Sequence, residues 1–238
     1  PNNILQNKVE IKTIKELTLA VKLLISAEAN SGKTTLTKTL KDTLVVSHDG
    51  KSFPFAIPHV MVDTFSTTKE LIDLINSKIV AYEAKFGEYP KTVVFDSVSK
   101  IFETLLDACN KKYTGFNIYS NLSKEVNEFT AYIQNTIIAS SINVVIISHA
   151  IYDPDTAKHV LVGKGDFAKR GSFLSEVDQA IFLETKSNKR VVHFRSTKFP
   201  ARTLAEDDPD SIEVSEFNLQ TYIDKLAASQ QLVEDYSL

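Results

Sequence analysis

The sequence predicts an α/β domain of three layers, with helices on both sides of a mostly parallel central sheet. Three observations carry that expectation. Short apolar runs at Leu23–Ile25, Leu44–Val46, Thr92–Phe95 and Asn143–Ser148 alternate with longer segments of helical period. The run Asn143–Ser148, N-V-V-I-I-S, lacks polar alternation, as a strand covered on both faces should. The first run also passes through a polar turn into a helix start at Gly32-Lys33-Thr34.

That first stretch, V-K-L-L-I-S-A-E-A-N-S-G-K-T-T-L over residues 21–36, organises the chain. Its order is strand, loop, helix. Such a loop offers successive backbone N–H groups and the helix start adds partial positive charge, so together they cradle phosphates. Ala29, Asn30, Ser31, Gly32, Lys33, Thr34 and Thr35 are the expected contacts to ATP. Lys33 would reach the β- and γ-phosphates, and the Thr34 hydroxyl would ligate Mg²⁺. Ala27 stands where the pattern has its first glycine, and alanine restricts the backbone angles and close approach that glycine permits. A bare Gly-Lys-Thr also reads as a plain helix start, so the rest of the chain must decide.

With 238 residues the chain suffices for one sizeable core and hardly more than a tail beyond it. A single cysteine, Cys109, excludes an internal disulfide and fits a reducing compartment. It lies on an apolar helical face and reads as core rather than nucleophile. The N-terminus lacks a cationic-then-apolar signal, and no run approaches membrane-spanning length. Pro1 is what removal of an initiator methionine leaves, so an intact cytoplasmic chain with no membrane partner is expected. The net charge of −3 hides an asymmetry. Lys186, Lys189, Arg190, Arg195, Lys198 and Arg202 occur with no acidic residue among them, whereas nine acidic residues and only Lys225 follow Arg202. Two readings fit: a polyanion-binding surface beside a segment that competes for it, or two solvated faces of opposite sign.

In chain order, Val9–Ile14 alternates with period two and predicts an early strand. A helix is expected over Gly32–Lys41, with Leu36 and Leu40 on one face. The Leu44–Val46 strand stops at Ser47-His48-Asp49-Gly50, and His59–Val62 reads as another strand. Thr67-x-x-Glu70 is a capping box opening a helix with Leu71, Leu74, Ile75, Ile79, Tyr82 and Phe86 on one side, closed by Gly87 and Pro90. Thr92–Phe95 runs into Asp96, and a helix bearing Ile101, Leu105 and Cys109 follows. Another helix spans Tyr119–Ser140. From His149 to Ser172 the periodicity collapses, with three glycines and a proline, and the segment reads as a long functional loop. Regular structure resumes at Asp178–Leu183 and Arg190–Arg195, with Ser187-Asn188 at a hairpin turn. The expected organisation is a core over residues 1–202, containing a loop at 150–172, and a flexible acidic segment over 203–238.

A phosphate site of this kind needs a carboxylate at the end of a buried strand to hold Mg²⁺. Asp96 fits, with a helix-capping aspartate as its alternative. Lys33, Asp49, Asp96 and His149 are the candidate catalytic group. The order of elements resembles the RecA-like ATPase core. That resemblance implies that Asp49, past the strand after the phosphate-loop helix, polarises the attacking water. The family usually carries glutamate there, one methylene longer; Asp63 and Glu28 are the alternatives. It also implies that His149 senses the γ-phosphate and leads into a DNA-binding loop.

A closer resemblance is to the short RecA-like single-strand annealing proteins of bacteriophages, the Sak-type minimal recombinases. It rests on the phosphate loop, V-V-F-D-S-V, the strand end I-I-S-H, F-L-S-E-V-D-Q-A-I-F-L-E, and K-R-V-V-H-F-R-S-T-K-F-P-A-R, and covers Val21–Arg202. It implies a slow DNA-stimulated ATPase that binds single-stranded DNA, assembles into rings or filaments, and promotes annealing or exchange in a host cytoplasm. A single-strand-binding protein is a further expected partner. Lys158, His159, Lys164, Lys169 and Arg170 would contact phosphates, and Phe167 or Phe173 would stack on a base, unless Phe173 is core. In such assemblies a neighbour donates cations to the γ-phosphate. Lys198 and Arg202 are the candidates, with lining a DNA path as their alternative. Two rival functions remain open: a non-hydrolysing annealing module that keeps the phosphate loop, and a small-molecule kinase. The kinase accounts for Lys33 and Asp96 but leaves the basic block after Lys186 without a role.

Overall fold

One sheet organises the molecule. The structure is a computed structural model and describes residues 19–62, 64–162 and 172–234. Among the described residues, β1 (Lys22–Ala27), β2 (Thr43–Ser47), β3 (His59–Met61), β4 (Thr92–Asp96), β5 (Asn143–Asp153) and β7 (Gln179–Lys186) run parallel in the order β3-β2-β4-β5-β1-β7. β8 (Lys189–His193) and β9 (Ser211–Glu213) extend the β7 edge antiparallel, and β6 (Lys158–Leu161) pairs with the far end of β5.

The continuous apolar runs conceal a period of two. Leu24, Val93, Phe95, Val144 and Ile146 enter one core; Leu23, Ile25, Val94, Val145 and Ile147 enter the other. The first core is covered by α2 (Thr68–Phe86), α3 (Val98–Lys112) and α4 (Phe116–Tyr132); the second by α1 (Lys33–Leu36) and α5 (Leu219–Glu234). Helices on both sides of a mostly parallel sheet are the expected α/β architecture. No helix among the described residues is long and apolar enough to cross a membrane.

Local signals account for the ends of α2. The Thr67 hydroxyl accepts from the Glu70 amide at 3.2 Å, and the Glu70 carboxylate accepts from the Ser66 amide at 2.7 Å. Gly87, at φ 85°, closes the helix. Leu71, Ile75, Ile79 and Tyr82 are buried, whereas Phe86 is exposed. Ser187 and Asn188 both take positive φ, 50° and 64°, as a tight turn between β7 and β8 requires.

Several expectations are corrected. The phosphate-loop helix stops at Leu36 and tightens to a 3₁₀ turn over Thr37–Thr39, well short of Lys41. Its threonines bond back onto the turn, Thr37 Oγ1 to the Thr34 carbonyl and Thr39 Oγ1 to the Leu36 carbonyl, and Leu40 is already extended. The segment after His149 is not irregular at its start. β5 continues to Asp153 and hairpins into β6, through a turn in which the Asp153 carboxylate accepts from the Asp155 amide and the Thr156 hydroxyl. Phe173 is core, stacked on Phe102 at 5.3 Å. The Val9–Ile14 strand lies outside the described residues.

The acidic C-terminal segment, expected to be flexible, is folded onto the domain over its described residues. Leu219, Tyr222, Ile223 and Leu226 recur at helical spacing and are buried in the second core. Asp208 is buried beneath them and accepts from Thr203 Oγ1 (2.7 Å), Tyr222 Oη (2.8 Å) and Lys225 Nζ (2.6 Å). Arg195, counted in the basic stripe, donates instead to the carbonyls of Asp208 and Ala205. Tyr222 and Lys225 thus tie α5 to Asp208, and Arg195 is engaged by backbone carbonyls rather than offered to a polyanion.

Candidate functional site

The strand order brings the carboxyl ends of β1, β2, β4 and β5 to one edge of the sheet, where ligands of open parallel sheets bind. β1 ends at Ala27, in register with His149 on β5 and Leu183 on β7. The chain then turns through Glu28-Ala29-Asn30-Ser31, with Ser31 Oγ donating to the Glu28 carbonyl at 3.0 Å. Asn30 (φ 61°) and Gly32 (φ 84°) take the left-handed conformation that lets the loop fold back. Ala27 lies in ordinary strand geometry with its methyl in the core, so the first glycine of the pattern is not needed for φ here.

Lys33 follows Gly32 and is 6% exposed. Its ammonium lies back across its own loop, donating to the Ala27 carbonyl at 3.2 Å and the Glu28 carbonyl at 2.7 Å. Burial lowers its pKa to about 8, against the pull of Asp96 and Asp49. Thr34 Oγ1 donates to Asp96 Oδ2 at 2.5 Å. Burial raises the Asp96 pKa, and the Thr34 hydrogen bond opposes that rise.

The end of β2 is fastened to β4 by the His48 amide, which donates to the Asp96 carbonyl at 2.6 Å. The His48 ring is fixed by the Val62 carbonyl and by Thr104 Oγ1, so Asp49 emerges beside Asp96. On β5 the His149 amide donates to Ser99 Oγ at 2.9 Å, which seats the residue between β1 and β4. Burial, then the charge of Lys33, lowers the His149 pKa and favours its neutral form.

These groups surround one cavity of about 260 Å³, lined by Asn30, Gly32, Lys33, Thr34, Ser47, Asp49, Lys51, Ser52, Phe53, Pro54, Asp96 and His149. All four candidate catalytic residues, Lys33, Asp49, Asp96 and His149, meet there. Of the loop residues expected to contact nucleotide, Ala29, Ser31 and Thr35 do not line it. Lys198 and Arg202, expected to act on a neighbour's site, are exposed and lie away from this chain's own cavity, and the Arg202 guanidinium donates to the Val177 carbonyl. Lys158 is exposed on β6, while Asp63, Lys164, Phe167, Lys169 and Arg170 lie outside the described residues.

Three residues stand beside the phosphate loop that the sequence did not place there: Lys51, and Arg190 and His159, which it assigned to the basic stripe and the DNA-binding loop. Lys51 lines the cavity and pairs with Asp49 at 3.3 Å. Arg190 lays its guanidinium against Gly32, with Nη2 at 3.3 Å from the Gly32 carbonyl and Nε buried with no hydrogen-bond partner among the described residues. A Cβ on Gly32 would stand 2.5 Å from that Nη2 and would push the guanidinium aside, while the φ of 84° is what favours glycine there. The hairpin register held the signal: Leu183 pairs with Ala27 and Arg190 with Thr185, which sets Arg190 level with the loop just past β1. His159 on β6 meets Glu28 of the loop, Nε2 to Oε1 at 2.8 Å.

The Thr34 hydroxyl and the Asp96 carboxylate, already in contact, are oxygen donors of the type that Mg²⁺ takes. No group of three or more His, Cys, Asp or Glu able to hold a metal occurs among the described residues. A metal held here would draw its remaining ligands from phosphates and water, as Mg²⁺ does in nucleotide sites. Asp96 and Thr34 therefore fit that ion.

No curated protein matches the chain. The model of one family, described as AAA domain, matches residues 19–203, which contain the phosphate loop, the Asp96 strand and the His149 strand. That match spans most of the sequence, and the geometry of Lys33, Thr34 and Asp96 agrees with it; the chain belongs to this AAA domain family and is a P-loop, ATPase-type nucleotide-binding protein.

Proposed function

We propose that the protein is an ATPase that binds single-stranded DNA and promotes annealing or exchange in phage-type recombination, working as a ring or filament like the Sak-type proteins it resembles. One observation carries this reading. β5 delivers His149 to the cavity and runs on without a break into the β5–β6 hairpin, where Lys158 is exposed and His159 touches the phosphate loop at Glu28. The nucleotide end and the start of the basic segment share one strand and one side-chain contact.

The residues divide the chemistry as follows. Loop amides and Lys33 hold the β- and γ-phosphates of ATP, with Lys33 exchanging its two carbonyl partners for phosphate oxygens. Mg²⁺, when bound, neutralises phosphate charge, and Thr34 and Asp96 would hold it. Asp49 accepts a proton from the water whose oxygen bonds to the γ-phosphorus. The bond from that phosphorus to the β–γ bridging oxygen breaks, leaving ADP and phosphate. His149 reports the γ-phosphate to β5.

Phosphate release measured with and without a single-stranded oligonucleotide tests the reading. Turnover that rises with DNA, and DNA binding that ATP strengthens and Lys33→Ala abolishes, are the expected results. Identical DNA binding with and without ATP contradicts the coupling. The pairing of Asp49 with Lys51 favours the rival non-hydrolysing annealing module, since that aspartate is short and already engaged. DNA annealing without turnover would select the rival.

A further inference from the structure

We propose that Lys51 is a γ-phosphate sensor supplied in cis: it covers Asp49 while the site is free and transfers to the γ-phosphate when a triphosphate binds. The proposal rests on the nucleotide site assigned above and names a regulator of that site that the sequence did not reveal.

Asp49 and Lys51 flank Gly50, whose φ of 69° turns the chain so that both side chains face the same cavity. Their ion pair is asymmetric. The Asp49 carboxylate is sheltered, 16% exposed, while the lysine that closes it is 65% exposed. An ion pair with one partner so open to water is weak, because solvent screens it and the lysine stem keeps many rotamers. A terminal phosphate carries more charge and more acceptor oxygens than a carboxylate, and hydrogen bonds to it are charge-assisted on both sides. Lysine is suited to such an exchange, being a compact charge on a flexible stem. Lys33 is held differently, buried against two loop carbonyls, and belongs to the loop itself.

Two consequences follow from the exchange. The cation expected from a neighbour through Lys198 or Arg202 is already present on the same chain, at the Asp49 side of the cavity. Asp49 has both oxygens free to accept from water only when a γ-phosphate has drawn Lys51 away. A diphosphate stops short of the exchange and leaves Asp49 covered, so the base is exposed only beside a hydrolysable substrate.

The test is calorimetric titration of the full chain with Mg·ADP and with the Mg complex of a β,γ-imido ATP analogue. Wild type should prefer the triphosphate by about tenfold or more, the scale of one charge-assisted contact. Lys51→Met should bring that preference to within about threefold while ADP affinity stays within about twofold, which also shows that the variant is folded. Lys51→Arg should restore the preference. Asp49→Asn, which releases Lys51, should tighten triphosphate binding in wild type and leave Lys51→Met unchanged, a coupling that a purely structural lysine would not produce. A Lys51→Met protein that keeps the full preference, or that weakens both nucleotides equally, overturns the proposal and leaves the site standing. A wild type that binds neither nucleotide overturns both.

Discussion

The two faces of the sheet are built by different means. One is covered by α2, α3 and α4, long helices that alternate in sequence with the strands of the sheet. The other has only the four residues of α1 and a 3₁₀ turn next to the phosphate loop, and it is completed by α5 from the end of the chain. The seam is specific: the Leu219 amide donates to Thr39 Oγ1 at 3.1 Å, and the Lys41 amide to Gln220 Oε1 at 3.0 Å. A short first helix keeps Gly32, Lys33 and Thr34 close to the strand ends, and a distant segment supplies the apolar cover that this helix lacks. The face carrying the chemistry is thus the thinner one, and it depends on residues far away in sequence.

Truncation before Thr203 gives the largest expected effect. It removes Leu219, Tyr222, Ile223 and Leu226, each of which stabilises by about 1.5–3 kcal/mol when buried, against a total of about 5–15 kcal/mol for a domain. The truncated chain should show no cooperative thermal transition; a transition near that of the full chain would mean that α5 is dispensable. On the thicker face, Phe129→Ala should lower stability by about 3–5 kcal/mol in denaturant unfolding and leave the fold intact.

The thin face also buries a cation. The Lys33 pKa is about 8 in the folded protein, below the ordinary 10.5, because burial disfavours its charge. Below about pH 8 both folded and unfolded states hold the proton, and the unfavourable burial is fully present. Between about pH 8 and 10.5 the folded state has released the proton and the unfolded state has not, so stability rises with pH. Relative to Lys33→Met, the wild type should gain on the order of 3 kcal/mol across that window in urea unfolding. Parallel curves for the two proteins would show that Lys33 is not titrating in a buried position.

A smaller effect distinguishes backbone from side chain at the loop. Gly32→Ala should destabilise by about 1–2 kcal/mol from its left-handed φ, with an added part from the Arg190 guanidinium. Arg190→Ala should recover only that added part in a double-mutant cycle. Strict additivity of the two changes would show that the guanidinium does not press on Gly32.

The thicker face was legible in the sequence because its signals are local. Thr67 and Glu70 announced α2, Gly87 closed it, and Ile101, Leu105 and Cys109 kept helical spacing. Asp96, which ends β4, was legible for the same reason; His149 was legible as a position at the cavity, although β5 runs past it to Asp153. Lys51 and Arg190 were not, because their roles come from where Gly50 and the β7–β8 hairpin return the chain. The stripe Leu219, Tyr222, Ile223 and Leu226 was present but sat among acidic residues, and charge composition outweighed its period. The β5–β6 hairpin was hidden because each arm beyond His149 offers too few residues for alternation to register.

The account stands on Thr34 and Asp96 sharing a magnesium ion beneath a nucleotide held by the phosphate loop. Titration of wild type, Thr34→Ala and Asp96→Asn with an ATP analogue, in Mg²⁺ and again in chelator, measures that sharing. Magnesium should tighten wild-type binding by about tenfold or more, and each substitution should abolish the dependence while metal-free binding persists. Wild-type binding that ignores magnesium, or no binding at all, would contradict it.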